Sequence, residues 1–99
     1  MTNDADVFDA LKYRVEVDHR GTRRYFNSNN QLHRENGPAI EYADGSQCWC
    51  RDNALHREDG PAVMFVSGRM CWYLYGEELT ELGYRKRLIE LGLPECPPK

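Results

Sequence analysis

Between Tyr13 and Tyr75 the chain runs in short stretches where apolar and polar residues alternate with a period of two, the mark of half-buried strands. The stretches come in three pairs. "YRVEVD" (13–18) and "TRRYFN" (22–27) flank His19-Arg20-Gly21. "PAIEYA" (38–43) and "SQCWCR" (46–51) flank Asp44-Gly45, and "PAVMFV" (61–66) and "RMCWYLY" (69–75) flank Ser67-Gly68. The first linker reads as a three-residue loop with Gly21 in the left-handed conformation. Asp-Gly reads as a two-residue type I′ turn, which needs positive φ at both central positions, and Ser-Gly is read the same way.

These turns set the register, and the register sets the faces. They place Val15 opposite Tyr25, Ile40 opposite Trp49, Tyr42 opposite Gln47, Val63 opposite Trp72 and Phe65 opposite Met70. One face then holds Val15, Val17, Tyr25, Ile40, Tyr42, Trp49, Val63, Phe65, Met70, Trp72 and Leu74. The other holds Ala39, Glu41, Cys48, Cys50, Ala62, Met64, Cys71 and Tyr73. The expectation is an antiparallel sheet with the first face covered and the second partly wet.

After Glu78 the period changes. "TELGYRKRLIELGLP" places Tyr84, Leu88 and Leu91 at helical spacing, with Ile89 beside them. Thr80 suits the N-cap, Gly92 the C′ position, and Pro94 bars continuation. The spacing predicts a helix over 81–91 that packs on the sheet or caps its end. A short N-terminal helix over 4–12, with Val7, Phe8 and Leu11 inward, and an irregular tail "PECPPK" complete the reading.

The chain also repeats itself. "LHRENGPAI" (32–40) returns as "LHREDGPAV" (55–63), 23 residues on, and Gly45, Cys48 and Trp49 return at the same distance as Gly68, Cys71 and Trp72. Gly21 and Tyr25 precede Gly45 and Trp49 by 24, so a degenerate first unit begins near Tyr13. Each unit reads strand, tight turn, strand, longer loop. "YLYGEEL" (73–79) starts another connector and then leaves the pattern.

This combination resembles MORN-type repeats (membrane occupation and recognition nexus), whose unit is a β-hairpin of about this length carrying glycine and aromatic positions. It is similar in particular to the divergent bacterial and phage form, with a phrase like "LHREDGPA", then "DG", then "WY", and often a closing Glu-rich helix. The resemblance covers roughly residues 25–80. It implies a scaffold or binding surface rather than an enzyme. "WCRDN" and "WYLYG" stand where the standard unit has Tyr-x-Gly, so lipid binding is not carried over.

Composition narrows the function. The 99 residues make one domain with one modest core. A net charge of −3 disfavours a dedicated nucleic-acid binder and is too mild for a polyanion mimic. The opening "MTNDADVFDALK" lacks the basic and apolar regions of a signal peptide, and no apolar run approaches the ~20 residues that span a bilayer. The expected location is the cytoplasm, a host's cytoplasm if the gene is phage-borne.

The candidate chemistry is read against architecture. His33 and His56 occupy equivalent places two strands apart, about 10 Å, too far to share a metal ion. The bland reading has His, Arg and Glu ordering the loop, with Gly-Pro starting the next strand. The sharper reading makes the ladder of His33, Arg34 and Glu35 over His56, Arg57 and Glu58 a binding rim. Cys48, Cys50, Cys71 and Cys96 offer no C-x₂-C pair and read as small apolar residues, with zinc or an incidental disulfide as the lesser readings. Arg85, Lys86 and Arg87 read as a solvated helix face, or else as a contact for an acidic partner or phosphate backbone. Nothing resembles a nucleophile elbow or a phosphate-binding loop.

The sequence therefore predicts an α+β fold. A twisted meander of about six strands spans 13–75, and a C-terminal helix occupies 80–92. The expected function is protein binding without catalysis, with no cofactor, no metal and no membrane partner. The expected contacts are Tyr42, Tyr73 and Tyr75, the rim residues His33, Arg34, His56 and Arg57, and the basic run Arg85, Lys86 and Arg87. The viral flavour of the repeats points to a small phage or mobile-element protein that binds and blocks a host protein, such as a CRISPR-type defence component. An antitoxin-like or scaffold protein, and a nucleic-acid-contacting protein using its Arg and Lys clusters, are the alternatives. A homodimer formed edge to edge is a further arrangement that open strands allow.

Overall fold

The computed structural model describes residues 12–93. The expected N-terminal helix, the tail and Cys96 lie outside them. The described chain is α+β: antiparallel hairpins followed by one helix. The strands are β1 (Arg14–Val17), β2 (Arg23–Phe26), β3 (Ile40–Glu41), β4 (Gln47–Cys48), β5 (Cys50–Arg51), β6 (Ala54–Leu55), β7 (Val63–Met64), β8 (Met70–Leu74) and β9 (Glu77–Leu79). Seven form one sheet in the order β1-β2-β3-β4-β7-β8-β9, and β5 pairs with β6 separately. The expected six strands become more because "RDNALH" and "YLYGEE" are not loose connectors. Asp52-Asn53 and Tyr75-Gly76 all have positive φ (50°, 71°, 50° and 84°) and close two-residue hairpins of their own.

Register corrects the expected faces. Val15 faces Tyr25 as read. In the next two hairpins Ile40 faces Cys48 and Val63 faces Cys71, one residue away from expectation. The reason is the turn. The amide of Gly45 donates to the Tyr42 carbonyl, and the Tyr42 amide to the Ser46 carbonyl, both at 2.9 Å. Gly68 repeats this with Phe65 and Arg69. All three hairpins thus carry a three-residue loop with glycine left-handed at φ 95–98°. One added residue flips every side chain beyond it. Ile40, Tyr42, Val63 and Phe65 leave the tryptophan face and join Cys48, Cys71 and Tyr73. Glu41 and Met64 move the other way. Val63 therefore lies between Cys48 and Cys71.

α1 (Glu81–Glu90) follows the sequence closely. The Thr80 hydroxyl accepts from the Gly83 amide at 3.1 Å, and Gly92 at φ 72° ends the helix. Tyr84 and Leu88 are fully buried against Trp72 and Leu74, with Leu79 and Leu93 packed around them. Leu91 and Ile89 are not part of this core; they are exposed, as is Leu82. No helix among the described residues is long and apolar enough to cross a membrane.

Candidate functional site: the rim of repeated loops

The two copies of the repeated phrase lie side by side and enclose an open cleft of about 640 Å³. Arg34 and Pro38 from the first copy, His56 and Arg57 from the second, and Trp49 and Arg51 between them in sequence line it. This is the rim the sequence singled out. Its side chains, however, are spent on holding one unit to the next.

Each histidine reaches forward. Nδ1 of His33 accepts from the Asp52 amide at 3.1 Å, and Nδ1 of His56 accepts from the Tyr75 amide at 2.8 Å. Both acceptors meet the first residue of the next two-residue turn, where the backbone turns sharply. His56 is 4% exposed, its ring lies 4.3 Å from that of Tyr75, and its Nε2 is 2.9 Å from Glu58. An accepting Nδ1 leaves the ring proton on Nε2, pointed at the Glu58 carboxylate.

Each arginine reaches back. The Arg34 guanidinium lies 4.0 Å from the Tyr25 ring centroid, and that of Arg57 lies 3.8 Å from Trp49. The same groups donate to the carbonyls of Pro38 and Pro61 at 3.3 and 3.1 Å. Glycine makes room: a Cβ on Gly37 or Gly60 would stand 3.0 or 2.8 Å from the guanidinium carbon. Gly-Pro thus works as a pocket for arginine as well as a strand start. In the third unit the phrase is gone, and Tyr84 takes over, its ring 5.0 Å from Trp72. Its hydroxyl donates to the Arg57 carbonyl and accepts from the Gly60 amide at 3.3 Å.

A second ladder at the opposite rim escaped the sequence reading. The hydroxyls of Thr22 and Ser46, both buried, accept from the Ala43 and Val66 amides at 3.1 and 3.0 Å. The signal was present: Thr22 and Ser46 each follow a turn glycine, 24 residues apart.

Charge at the rim is internally balanced. Arg51 pairs with Glu58 at 3.1 Å and Arg57 with Asp59 at 2.9 Å. On α1, Arg85 pairs with Glu81 at 3.1 Å and lies 5.9 Å from the Trp72 ring. Arg87 pairs with Glu77 at 2.9 Å, and Lys86 is exposed. The basic run is therefore largely neutralised, and Arg85, Lys86 and Arg87 do not line the cleft beside His56.

Tyr42 and Tyr73 lie on the cysteine face. Tyr42 is 38% exposed, Phe65, two strands away on the far side of Ser46, 43% and Val66 at the turn tip 67%, while Tyr73 is half-buried. Burial pushes the Tyr42 phenol and the Cys48 thiol up, and raises Cys50 to about 11. These thiols are protonated at neutral pH and serve as apolar surface. Among the described residues, Cys48, Cys50 and Cys71 are free, and no group of three His, Cys, Asp or Glu side chains could hold a metal ion. Tyr75 is exposed on its outer side and packs inward on His56.

No protein-family model, curated protein or solved structure matches the chain.

Proposed function

We propose that this chain is a non-catalytic protein-binding module that uses the cysteine face of its sheet. The observation that carries the reading is the set of partly exposed aromatics Tyr42, Phe65 and Tyr73 on the same face as the Cys48 and Cys71 thiols. Such a surface is aromatic, with Arg24, Arg69 and Glu78 on the same face opposite Ile40, Phe65 and Tyr73, and aromatic residues and arginine are enriched in protein interfaces. The rim supports the non-catalytic part: the imidazoles of His33 and His56 already hold backbone amides. The pairing of Arg85 and Arg87 with carboxylates counts against a phosphate-backbone surface. Resemblance to phage-type MORN-like repeats suggests the partner class, a host protein blocked by binding, with a CRISPR-type defence component as one such target in the host cytoplasm.

The test is a quantitative pull-down from bacterial lysate with three baits. These are the natural chain, a Tyr42→Asp/Phe65→Asp variant and an Arg85→Glu/Arg87→Glu variant, each checked for fold by circular dichroism. The reading expects a stoichiometric protein partner lost only with the Tyr42/Phe65 variant. A partner lost only with the arginine variant, or none at all, overturns it.

A further inference from the structure

β1 is the end strand of the seven-stranded sheet, and all four of its residues are exposed. Its outer side carries backbone groups that no strand pairs among the described residues. The Tyr25 amide donates to the Ala39 carbonyl, and the Tyr25 carbonyl accepts from the His33 amide, so both groups point away from β1. Val15, directly opposite Tyr25, therefore directs its own N–H and C=O outward. The 3.0 Å bond from the Asp18 amide to the Thr22 carbonyl sets the same phase, and Val17 does likewise. β3 and β7 stand where β1 does in their units, and each has the preceding unit's strand, β2 or β4, on that side. β1 has none among the described residues.

The strand that would fit there can be read from β1 itself. The segment "KYRVEVD" (12–18) is positive at Lys12 and Arg14 and negative at Glu16 and Asp18, arranged about Val15. Two copies laid antiparallel about Val15 put Arg14 opposite Glu16 and Glu16 opposite Arg14, with Val15 facing Val15. Tyr13 faces Val17, and Lys12 faces Asp18, at the flanks. Every charge meets its opposite and every apolar side chain meets an apolar one. Sliding by one step on each strand, to the next register that keeps the outward groups paired, sets Glu16 against Glu16. A parallel arrangement sets like against like throughout. The Val15-centred pairing also bonds N–H and C=O of Val15 in both directions, and covers valines now 37% and 58% exposed.

We infer that β1 is a homodimerisation edge, on which a second copy of this chain adds its own β1 antiparallel about Val15 to give one continuous sheet across a two-fold axis. Arg14 and Glu16, which now pair within the strand, exchange partners across the axis. The opposite edge does not compete. β9 presents Glu77 and Glu78, which would meet carboxylates in a second β9. The inference is independent of the cysteine-face reading above, since it uses a different edge and a different partner.

The test measures molar mass by light scattering after size exclusion, over a range of concentrations, on the full chain. The natural chain is expected to move towards twice the chain mass as concentration rises. Arg14→Glu and Glu16→Arg each create like-charge pairs and should weaken the dimer by about tenfold or more. The double variant Arg14→Glu/Glu16→Arg restores complementarity and should dimerise again. Mixing the two single variants should give a heterodimer, because positions 14 and 16 are then both negative in one strand and both positive in the other. All substituted side chains are exposed, and circular dichroism checks the fold. A chain that stays monomeric at millimolar concentration overturns the inference. So does a dimer indifferent to both single reversals, or single variants that fail to associate when mixed.

Discussion

The guanidinium of Arg57 lies 3.8 Å from the Trp49 ring centroid and donates to the Pro61 carbonyl at 3.1 Å, while Asp59 holds its Nε at 2.9 Å. One side chain thus joins an aromatic of its own hairpin to the entrance of the next strand. Arg57→Ala should cost about 2–3 kcal/mol, from the lost stack and an unsatisfied carbonyl. Arg57→Lys should recover little of this, because an ammonium cannot lie flat on the ring while bonding in the fork geometry. Urea unfolding of the three proteins checks both statements.

Gly60 should matter through Arg57 and not through backbone strain. It has no positive φ, yet a Cβ there would stand 2.8 Å from the guanidinium carbon. Gly60→Ala should destabilise the natural chain by about 1–2 kcal/mol and do much less in an Arg57→Ala background. Additive effects in that double-mutant cycle would mean the clash lies elsewhere.

Much of this was legible in the sequence and some was not, for reasons that particular residues show. α1 was read within a residue because its cap, period and stop agree at Thr80, Tyr84, Leu88 and Gly92. The first hairpin was read in register because Gly21 announces a three-residue loop. The other two hairpins were read one residue off because Asp44-Gly45 also suits a two-residue turn. Local propensity does not separate the two, although the alignment of Gly21 with Gly45 and Gly68 does. The histidine positions were legible as architecture from their duplication. What they hold was not, since the amides of Asp52 and Tyr75 lie 19 residues further on and are brought close only by stacking of the units.

Cys50 gives a pH signature. Burial raises its thiol from the ordinary 9.0 to about 11, so the folded chain keeps a proton that the unfolded chain releases. The folded state is favoured below pH 9, and about 2–3 kcal/mol is lost as pH rises from about 9 to about 11. In a Cys50→Ala variant this part of the alkaline decline should be missing. At pH 8 Cys50 should also resist thiol reagents far longer in folded than in unfolded protein.

The serine and threonine ladder should be worth as much as a helix cap at each step. Ser46→Ala orphans the Val66 amide, and Thr22→Ala the Ala43 amide, each costing about 1–2 kcal/mol. Thr22→Ser keeps the acceptor and should recover most of the loss, which thermal unfolding measures.

The central claim is that the repeated phrase links each unit to the next, and its most direct test is hydrogen exchange at the Tyr75 amide. That amide sits at the first position of an exposed turn, where exchange is fast unless something accepts its proton. With His56 Nδ1 2.8 Å away, it should be strongly protected in the natural chain. It should become fast in His56→Ala, with a fall in stability of about 2–3 kcal/mol. The Asp52 amide, held by His33, should stay protected in the same variant. A Tyr75 amide that exchanges freely in the natural chain, or that keeps its protection without His56, would contradict the account.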